Sequence, residues 1–203
     1  MVRKLEIKIH DGTLLRGHLY AAQPKAPVII MSAGLSGIKE HFLPTYAARL
    51  NKEGYSVVTY DHRTWGRTSS SNPTYIPIYP ETLDESHTSS NGVMMGTEEC
   101  FRHYADIRNI EPFRVNKITL QTLFHVMRSE PQEYISQISP KPLLMVVGVR
   151  DSLIDAQKQI AAFQKAKEPK ELLELDCGHF DIYRGEIFEQ NIATQIAFLK
   201  KYL

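Results

Sequence analysis

Residues 27–61 read PVIIMSAGLSGIKEHFLPTYAARLNKEGYSVVTYD, and this stretch decides the fold. The run from Pro27 to Ser32 is almost wholly apolar, which is typical of a strand buried on both faces of a parallel sheet. Helical spacing follows from Glu40 to Asn51, and Gly54 stands where a helix end favours a left-handed residue. A second buried strand covers Tyr55 to Tyr60. Strand, helix and strand at this spacing form a right-handed βαβ unit, so we expect a mainly parallel sheet.

The alternation of strands and helices continues outward from this unit. Before it, residues 4–9 and 14–20 alternate apolar and polar residues around an Asp11-Gly12 turn, which predicts an antiparallel hairpin. After it, the pattern predicts strands over 142–147 and 171–175 and helices over 98–110, 117–128, 156–166 and 186–202. The fold class is therefore α/β, with about six strands and helices on both faces of the sheet. Residues 68–96 are rich in Ser, Asn, Pro and Gly, so we interpret them as an irregular loop or partial lid.

Length, charge and cysteine content narrow the class of protein. The 203 residues suit one domain over 1–203, and a formal net charge of +1 makes nucleic acid an improbable partner. No apolar run approaches the roughly 18 residues of a membrane span, so we expect no membrane partner and a cytoplasmic location. Cys100 and Cys177 lack C-x-x-C spacing, which predicts neither a disulfide framework nor a zinc site. We expect no metal and no other cofactor.

Polar residues at the carboxyl ends of the predicted strands are the candidate functional groups, because ligands of parallel sheets bind there. Asp151 follows one strand and His179 follows the next, which is the order of acid and histidine in an α/β-hydrolase. A carboxylate on one imidazole nitrogen would fix the tautomer and leave the other nitrogen free to take a proton. The alternative is that Asp151 caps the following helix and His179 is an ordinary loop histidine.

The usual attacking group of such enzymes is missing. No G-x-S-x-G motif occurs, and no strand followed by a Ser, Cys or Asp turn lies between Asp61 and Pro142. Ser36 is the only serine at a strand-to-helix turn, but that place normally supplies backbone N–H groups to an oxyanion. We therefore expect Leu35 and Ser36 to contribute their backbone to substrate binding.

Further candidates lie after the second strand of the βαβ unit and in the irregular segment. Asp61 is a candidate acid or second base, although a turn cap or a partner of Arg63 is an equal interpretation. The other candidate substrate-binding residues are Arg63, Trp65, Tyr75 and His87. For the last three the alternative is a packing or surface role.

These segments, together with NPTYIPIYP at 72–80, resemble the fungal polyketide-pathway branch of the α/β-hydrolases. The resemblance covers nearly the whole chain and implies acyl or polyketide transfer, thioester hydrolysis or epoxide opening. It departs between about Ser69 and Asn72, where the family has a nucleophile strand, its helix and a further core strand. By position, Asp151 resembles the family's acid and His179 its base, while the nucleophile has no counterpart.

Among such relatives, compact hydrolases that open epoxides on polyene polyketides fit the shortened chain best. The resemblance thus implies a small-molecule polyketide substrate, attacked directly by water or by its own hydroxyl with the help of His179 and Asp151. One alternative is an esterase, thioesterase or acyl transferase without a serine elbow. Another is a non-catalytic binding relic of a hydrolase. Because the missing segment would bare part of the sheet, residues 98–138 either replace its cover or form a homodimer surface.

Overall fold

A computed structural model describes the chain at residues 2–10, 12–34, 37–62, 74–88, 92–110 and 115–203. The chain divides into two compact units. The first comprises Met1–Ser71, Leu199–Lys201 and Leu203, and the second comprises Asn72–Phe198 and Tyr202. The single domain expected over 1–203 stays a prediction.

The first unit is built on a four-stranded sheet and one helix. Its elements are β1 (Val2–Lys8), β2 (Leu14–Tyr20), β3 (Val28–Ser32), α1 (Leu43–Lys52) and β4 (Ser56–Tyr60). The strand order is β1-β2-β4-β3, in which β1–β2 and β2–β4 are antiparallel and β3–β4 is parallel. The predicted hairpin and βαβ unit are both present. The sheet is mixed rather than mainly parallel, because the hairpin adds two antiparallel ladders to a single parallel one.

Helix α1 packs on β4 through one apolar face. Tyr46, Ala47 and Leu50 are buried on this helix, as is Val57 on the strand. Their spacing on the helix follows its period, so the three side chains share one face. The helix ends just before Gly54, whose φ of 94° is the left-handed conformation predicted for that position.

Strand β3 is an edge of this sheet. Val28 and Ile30 are 59% and 71% exposed, so the prediction of a strand buried on both faces is wrong for these two side chains. Within the first unit, β4 is the only described strand that pairs with β3. An apolar sequence suited to a sheet interior therefore lies at a sheet edge.

The second unit contains a parallel strand pair, a small ladder and most of the helices. Its strands and α-helices are β5 (Tyr75–Ile76), α2 (Leu83–Ser86), α3 (Glu98–Ile110), β6 (Ile118–Thr119), α4 (Leu120–Met127), β7 (Leu143–Gly148), α5 (Ala156–Lys165), β8 (Lys170–Leu175) and α6 (Gly185–Tyr202). β7 and β8 are parallel, and β5 and β6 are antiparallel. Of the helices that the structure describes, none is both long and apolar enough to cross a membrane.

The α/β class is confirmed, but the number of strands per sheet is corrected. Backbone hydrogen bonds join the described strands into sheets of four, two and two rather than one sheet of about six. Residues 68–96 also contain more regular structure than an irregular loop, since β5 and α2 form in their described part. The helix predicted over 117–128 begins only at Leu120, because Ile118 and Thr119 pair with β5.

Helix α4 exposes several apolar side chains. Leu120, Val126 and Met127 are 47%, 43% and 73% exposed. They lie in the segment that the sequence assigned either to sheet cover or to a homodimer surface. Exposed apolar side chains on one short helix suit the second alternative. The homodimer itself stays a prediction.

We expect Gly17→Ala to destabilise the first unit. Gly17 pairs with Tyr60 across the β2–β4 ladder, and an added Cβ would lie 2.6 Å from the backbone oxygen of Thr59. Because a backbone atom in a ladder cannot swing aside, the substitution should cost about 1–3 kcal/mol of unfolding free energy. Urea unfolding measures the loss, with Gly34→Ala as control, since no described atom lies within 4 Å of a Cβ there. Equal unfolding midpoints for the two variants would contradict the prediction.

Candidate active site

The parallel pair β7–β8 brings two loops of the second unit to the same edge. The register pairs Leu143 with Lys170 and Gly148 with Leu175, so both strands end side by side. Backbone contact continues beyond the strands, since Val149 N donates to the Leu175 oxygen at 2.9 Å. The loops that carry Asp151 and His179 therefore start as neighbours.

Asp151 and His179 form a hydrogen-bonded pair. The Nδ1 atom of His179 lies 2.8 Å from Oδ2 of Asp151, whose side chain is only 6% exposed. The other carboxylate oxygen, Oδ1, accepts hydrogen bonds from the backbone N–H groups of Leu153 (2.8 Å) and Ile154 (2.9 Å). Asp151 thus binds the backbone of the following turn with one oxygen and the histidine with the other, and it does not cap the following helix. The cap of helix α5 itself is Asp155.

The second nitrogen of His179 has no hydrogen-bond partner among the described residues. The imidazole is 27% exposed, and no described residue forms a hydrogen bond with Nε2. With an ionised Asp151, Nδ1 donates and Nε2 keeps its lone pair. The pair therefore has the arrangement that a general base needs.

Several aromatic rings pack beside this pair. Phe180 contacts the His179 ring edge-on at 4.7 Å between centroids and stacks on His103 at 3.7 Å. Tyr104 and Tyr79 stack on one another at 4.0 Å, and Tyr104 also contacts Phe180. His103 and Tyr104 share helix α3 with the buried Cys100, so in the sequence they resembled ordinary core positions.

Glu99 is a second residue that sequence reasoning missed. Its Oε1 accepts a hydrogen bond from Phe180 N at 3.2 Å, and its Oε2 accepts one from Ser152 N at 3.3 Å and another from the Ser152 hydroxyl. The only signal in the sequence was an acidic residue in the first turn of a predicted helix, where the helix dipole alone explains it.

Asp61 has a partner in the first unit that the sequence did not reveal. It is buried, and its two oxygens accept hydrogen bonds from Lys39 N at 2.8 Å and from Lys39 Nζ at 2.6 Å. Lys39 Nζ also lies 2.6 Å from Glu40 Oε1. Burial alone would lower the pKa of Lys39, but the hydrogen bonds that its ammonium donates to Asp61 and Glu40, with their negative charges, outweigh it and raise that pKa. These contacts favour a structural counter-ion, and the acid or second-base role of Asp61 stays a prediction.

Asp61 and Lys39 line a cavity of about 670 Å³ in the first unit. Arg16, His18 and His62 also line it, together with apolar side chains such as Leu14 and Ile38, so its wall is part polar and part apolar. The His62 imidazole is held by the Ala33 oxygen, 3.2 Å from Nε2.

Two of the remaining predicted residues have local partners, and four lie outside the described residues. Tyr75 is 46% exposed in β5, with Lys117 Nζ 4.3 Å from its ring centroid. His87 follows α2, and its Nε2 lies 3.9 Å from Glu98 Oε2. In the described contacts neither residue bonds to Asp151 or His179. Residues of which the structure describes nothing are Leu35, Ser36, Arg63 and Trp65.

The two cysteines do not supply an attacking group. Both are fully buried and free of disulfide bonds. Burial raises the pKa of the Cys100 thiol to about 11 and also raises the pKa of Cys177. Since the thiolate is the nucleophile, burial disfavours the attacking form of both cysteines. Over the described ranges, no group of three or more His, Cys, Asp or Glu residues could hold a metal ion.

Comparison with known proteins identifies relatives along the whole chain. No family model matches the chain. It is 22% identical to the polyketide transferase af380 of Aspergillus fumigatus, with 98% of each chain covered. It is 20% identical to a thiohydrolase of Eupenicillium brefeldianum, covering 98% of this chain and 94% of the relative. The first alignment spans 286 positions although this chain has 203 residues, so it includes long gaps.

Solved structures show the same fold. The structure of DcsB in complex with its substrate analogue has a TM-score of 0.86 at 18% identity, with 100% of both chains covered. The α/β hydrolase GrgF from Penicillium sp. sh18 has a TM-score of 0.83 at 19% identity, covering 100% of this chain and 99% of the other. The fold, the paired aspartate and histidine, and the whole-chain relatives all agree with the resemblance seen in the sequence. This chain is similar along its whole length to a fungal polyketide transferase and to a fungal thiohydrolase, and it has the fold of an α/β hydrolase.

Proposed function

We propose that the chain is a hydrolase of polyketide metabolism that opens an epoxide by direct attack of water, with His179 as general base. The observation that carries the proposal is the 2.8 Å contact between His179 Nδ1 and Asp151 Oδ2. A carboxylate on Nδ1 orients the ring and stabilises the imidazolium that forms when Nε2 takes a proton. The polyketide class of the substrate is inferred from the relatives, one of which is named a polyketide transferase.

The reaction balances with one base and one water. Nε2 of His179 takes a proton from the water as the water oxygen bonds to an epoxide carbon. The bond between that carbon and the ring oxygen breaks at the same time, which leaves an alkoxide. The imidazolium then returns its proton to the alkoxide, so the product is a vicinal diol and the histidine is neutral again. A hydroxyl of the substrate in place of water would give a cyclic ether by the same steps.

The lack of an attacking side chain favours an electrophile that is already activated. The chain has no G-x-S-x-G motif, and both thiols are buried. A covalent acyl intermediate therefore lacks its usual nucleophile. Ring strain makes an epoxide carbon reactive toward water without such an intermediate. General-base catalysis by a positioned histidine then supplies about 10²- to 10⁴-fold in rate.

Thioester hydrolysis is the second candidate, because a whole-chain relative is named a thiohydrolase. His179 would again take a proton from water, which here adds to the thioester carbonyl. The departing thiolate would receive that proton. This route also needs donors for the carbonyl oxygen, and the sequence assigned that task to the backbone of Leu35 and Ser36.

Replacing His179 with Ala should lower kcat by about 10²- to 10⁴-fold, because the general base is lost. The side chain is partly exposed, so the fold should survive. Turnover of a conjugated triene monoepoxide measures the loss, and circular dichroism checks the fold. His10→Ala is the control, since His10 is an exposed histidine in the turn after β1. Full turnover by a folded His179→Ala protein would rule out the proposed base.

Asp151→Asn should reduce kcat on the order of 10⁴-fold, as expected when the carboxylate of such a pair becomes an amide. The amide oxygen can still accept from Leu153 N and Ile154 N, while the NH₂ group faces Nδ1 and forces the proton onto Nε2. Asp155→Asn is a matched control, because Asp155 also accepts from two backbone N–H groups but does not contact His179. Equal kcat values for the two variants would argue against the pair.

A single turnover of the same epoxide in ¹⁸O-labelled water should place the label in the first diol formed. Direct attack takes its oxygen from water, whereas attack by an enzyme carboxylate would give an unlabelled first product. The N-acetylcysteamine thioester of the same triene acid provides the parallel assay for the second candidate. Unlabelled diol would refute direct attack, and faster turnover of the thioester would replace the epoxide proposal with thioester hydrolysis.

A further inference from the structure

We propose that Glu99 is a positioning residue that holds the loops of Asp151 and His179 in catalytic register, an inference that rests on the proposed function of that pair. The strand pairing alone does not fix these loops. The last backbone bond across the β7–β8 edge joins Arg150 N to the Cys177 oxygen at 3.0 Å. Both members of the pair lie beyond it, so another contact must hold them at 2.8 Å.

Glu99 bridges the immediate neighbours of both residues. Its Oε1 accepts from Phe180 N, next to His179, and its Oε2 accepts from the N–H and the hydroxyl of Ser152, next to Asp151. These donors are 81 and 53 residues away in the chain. Hydrogen bonds to a carboxylate are about twice as strong as those between neutral groups. One side chain therefore ties the two loops together beyond the Arg150–Asp176 ion pair, which joins them closer to the strand ends.

The direction of the Glu99 side chain is itself fixed. It lies in the first turn of α3, where Cys100 is fully buried and its N–H donates to the Thr97 hydroxyl at 3.3 Å. The loop that carries His179 also lies close to this carboxylate. A Cβ added to Gly178 would lie 2.5 Å from Glu99 Oε1. Only glycine leaves room for the carboxylate at this position, so helix α3 and the loop that carries His179 are in direct contact.

Glu99→Gln should lower kcat about 10- to 100-fold with KM unchanged, because a shift of about 1 Å at a catalytic group costs that much. An NH₂ group would replace one acceptor oxygen and face a donor on one of the two loops. In the substrate-free protein, the proton resonance of His179 Nδ1–H should shift or broaden in NMR spectra. A loss of stability alone would not change that resonance.

Glu98→Gln is the matched control. Glu98 carries the same charge in the same helix turn, but its carboxylate lies beside Arg102 and His87 and makes no described contact with the loops of Asp151 and His179. We expect it to leave kcat and the resonance unchanged. Identical behaviour of the two variants would overturn the proposal, as would a Glu99→Gln protein with lower thermal stability but an unchanged resonance.

Ser152→Ala keeps the proposal testable if Glu99→Gln fails to fold. It removes the hydroxyl donor to Glu99 and leaves the Ser152 N–H in place. We expect a several-fold lower kcat and a smaller shift of the same resonance, and no change in either would overturn the proposal. Failure of the proposed function can be distinguished from failure of the positioning role. In the first case His179→Ala and Asp151→Asn would retain turnover of the epoxide, while Glu99→Gln would still shift the resonance.

Discussion

The parallel pairing of β7 with β8 is the constraint on which the candidate site depends. Asp151 and His179 are 28 residues apart, and they meet because both follow strands that end at the same edge. A register slip of one residue would move one loop by about 3.3 Å and reverse the faces of its strand. The 2.8 Å contact would then be lost. The β7–β8 ladder is therefore as much a part of the site as the two side chains.

Burial of Asp151 makes the pair rigid. Its side chain is 6% exposed, and a carboxylate removed from water needs hydrogen-bond donors to compensate. Two backbone N–H groups and the imidazole supply them. Since each donor is held by backbone or packing, the carboxylate has little freedom to rotate. A preorganised carboxylate of this kind supports the imidazolium without a reorganisation cost during the reaction.

Asp61 shows that an aspartate at the end of a strand can have a different role from that of Asp151. Like Asp151, it follows directly on a buried-type strand, where polar residues often serve function. Its oxygens, however, bind the backbone and the ammonium group of Lys39. Breaking such a buried pair typically costs about 3–5 kcal/mol, because one charge is left without a partner. Asp61 thus contributes to the first unit as a counter-ion, whatever further role it has.

The sequence by itself determined the α/β class, the order of the longer strands and helices, and the two residues of the pair. Periodicity and strand-end position are local properties, so they can be read without coordinates. Tertiary structure alone decided the partner of Asp61, the exposure of Ile30 and the bridge from Glu99, which joins residues 53 and 81 positions away. Each of these depends on which segments pack together. That is decided by burial and backbone pairing over the whole unit, and no local pattern of residue types records it.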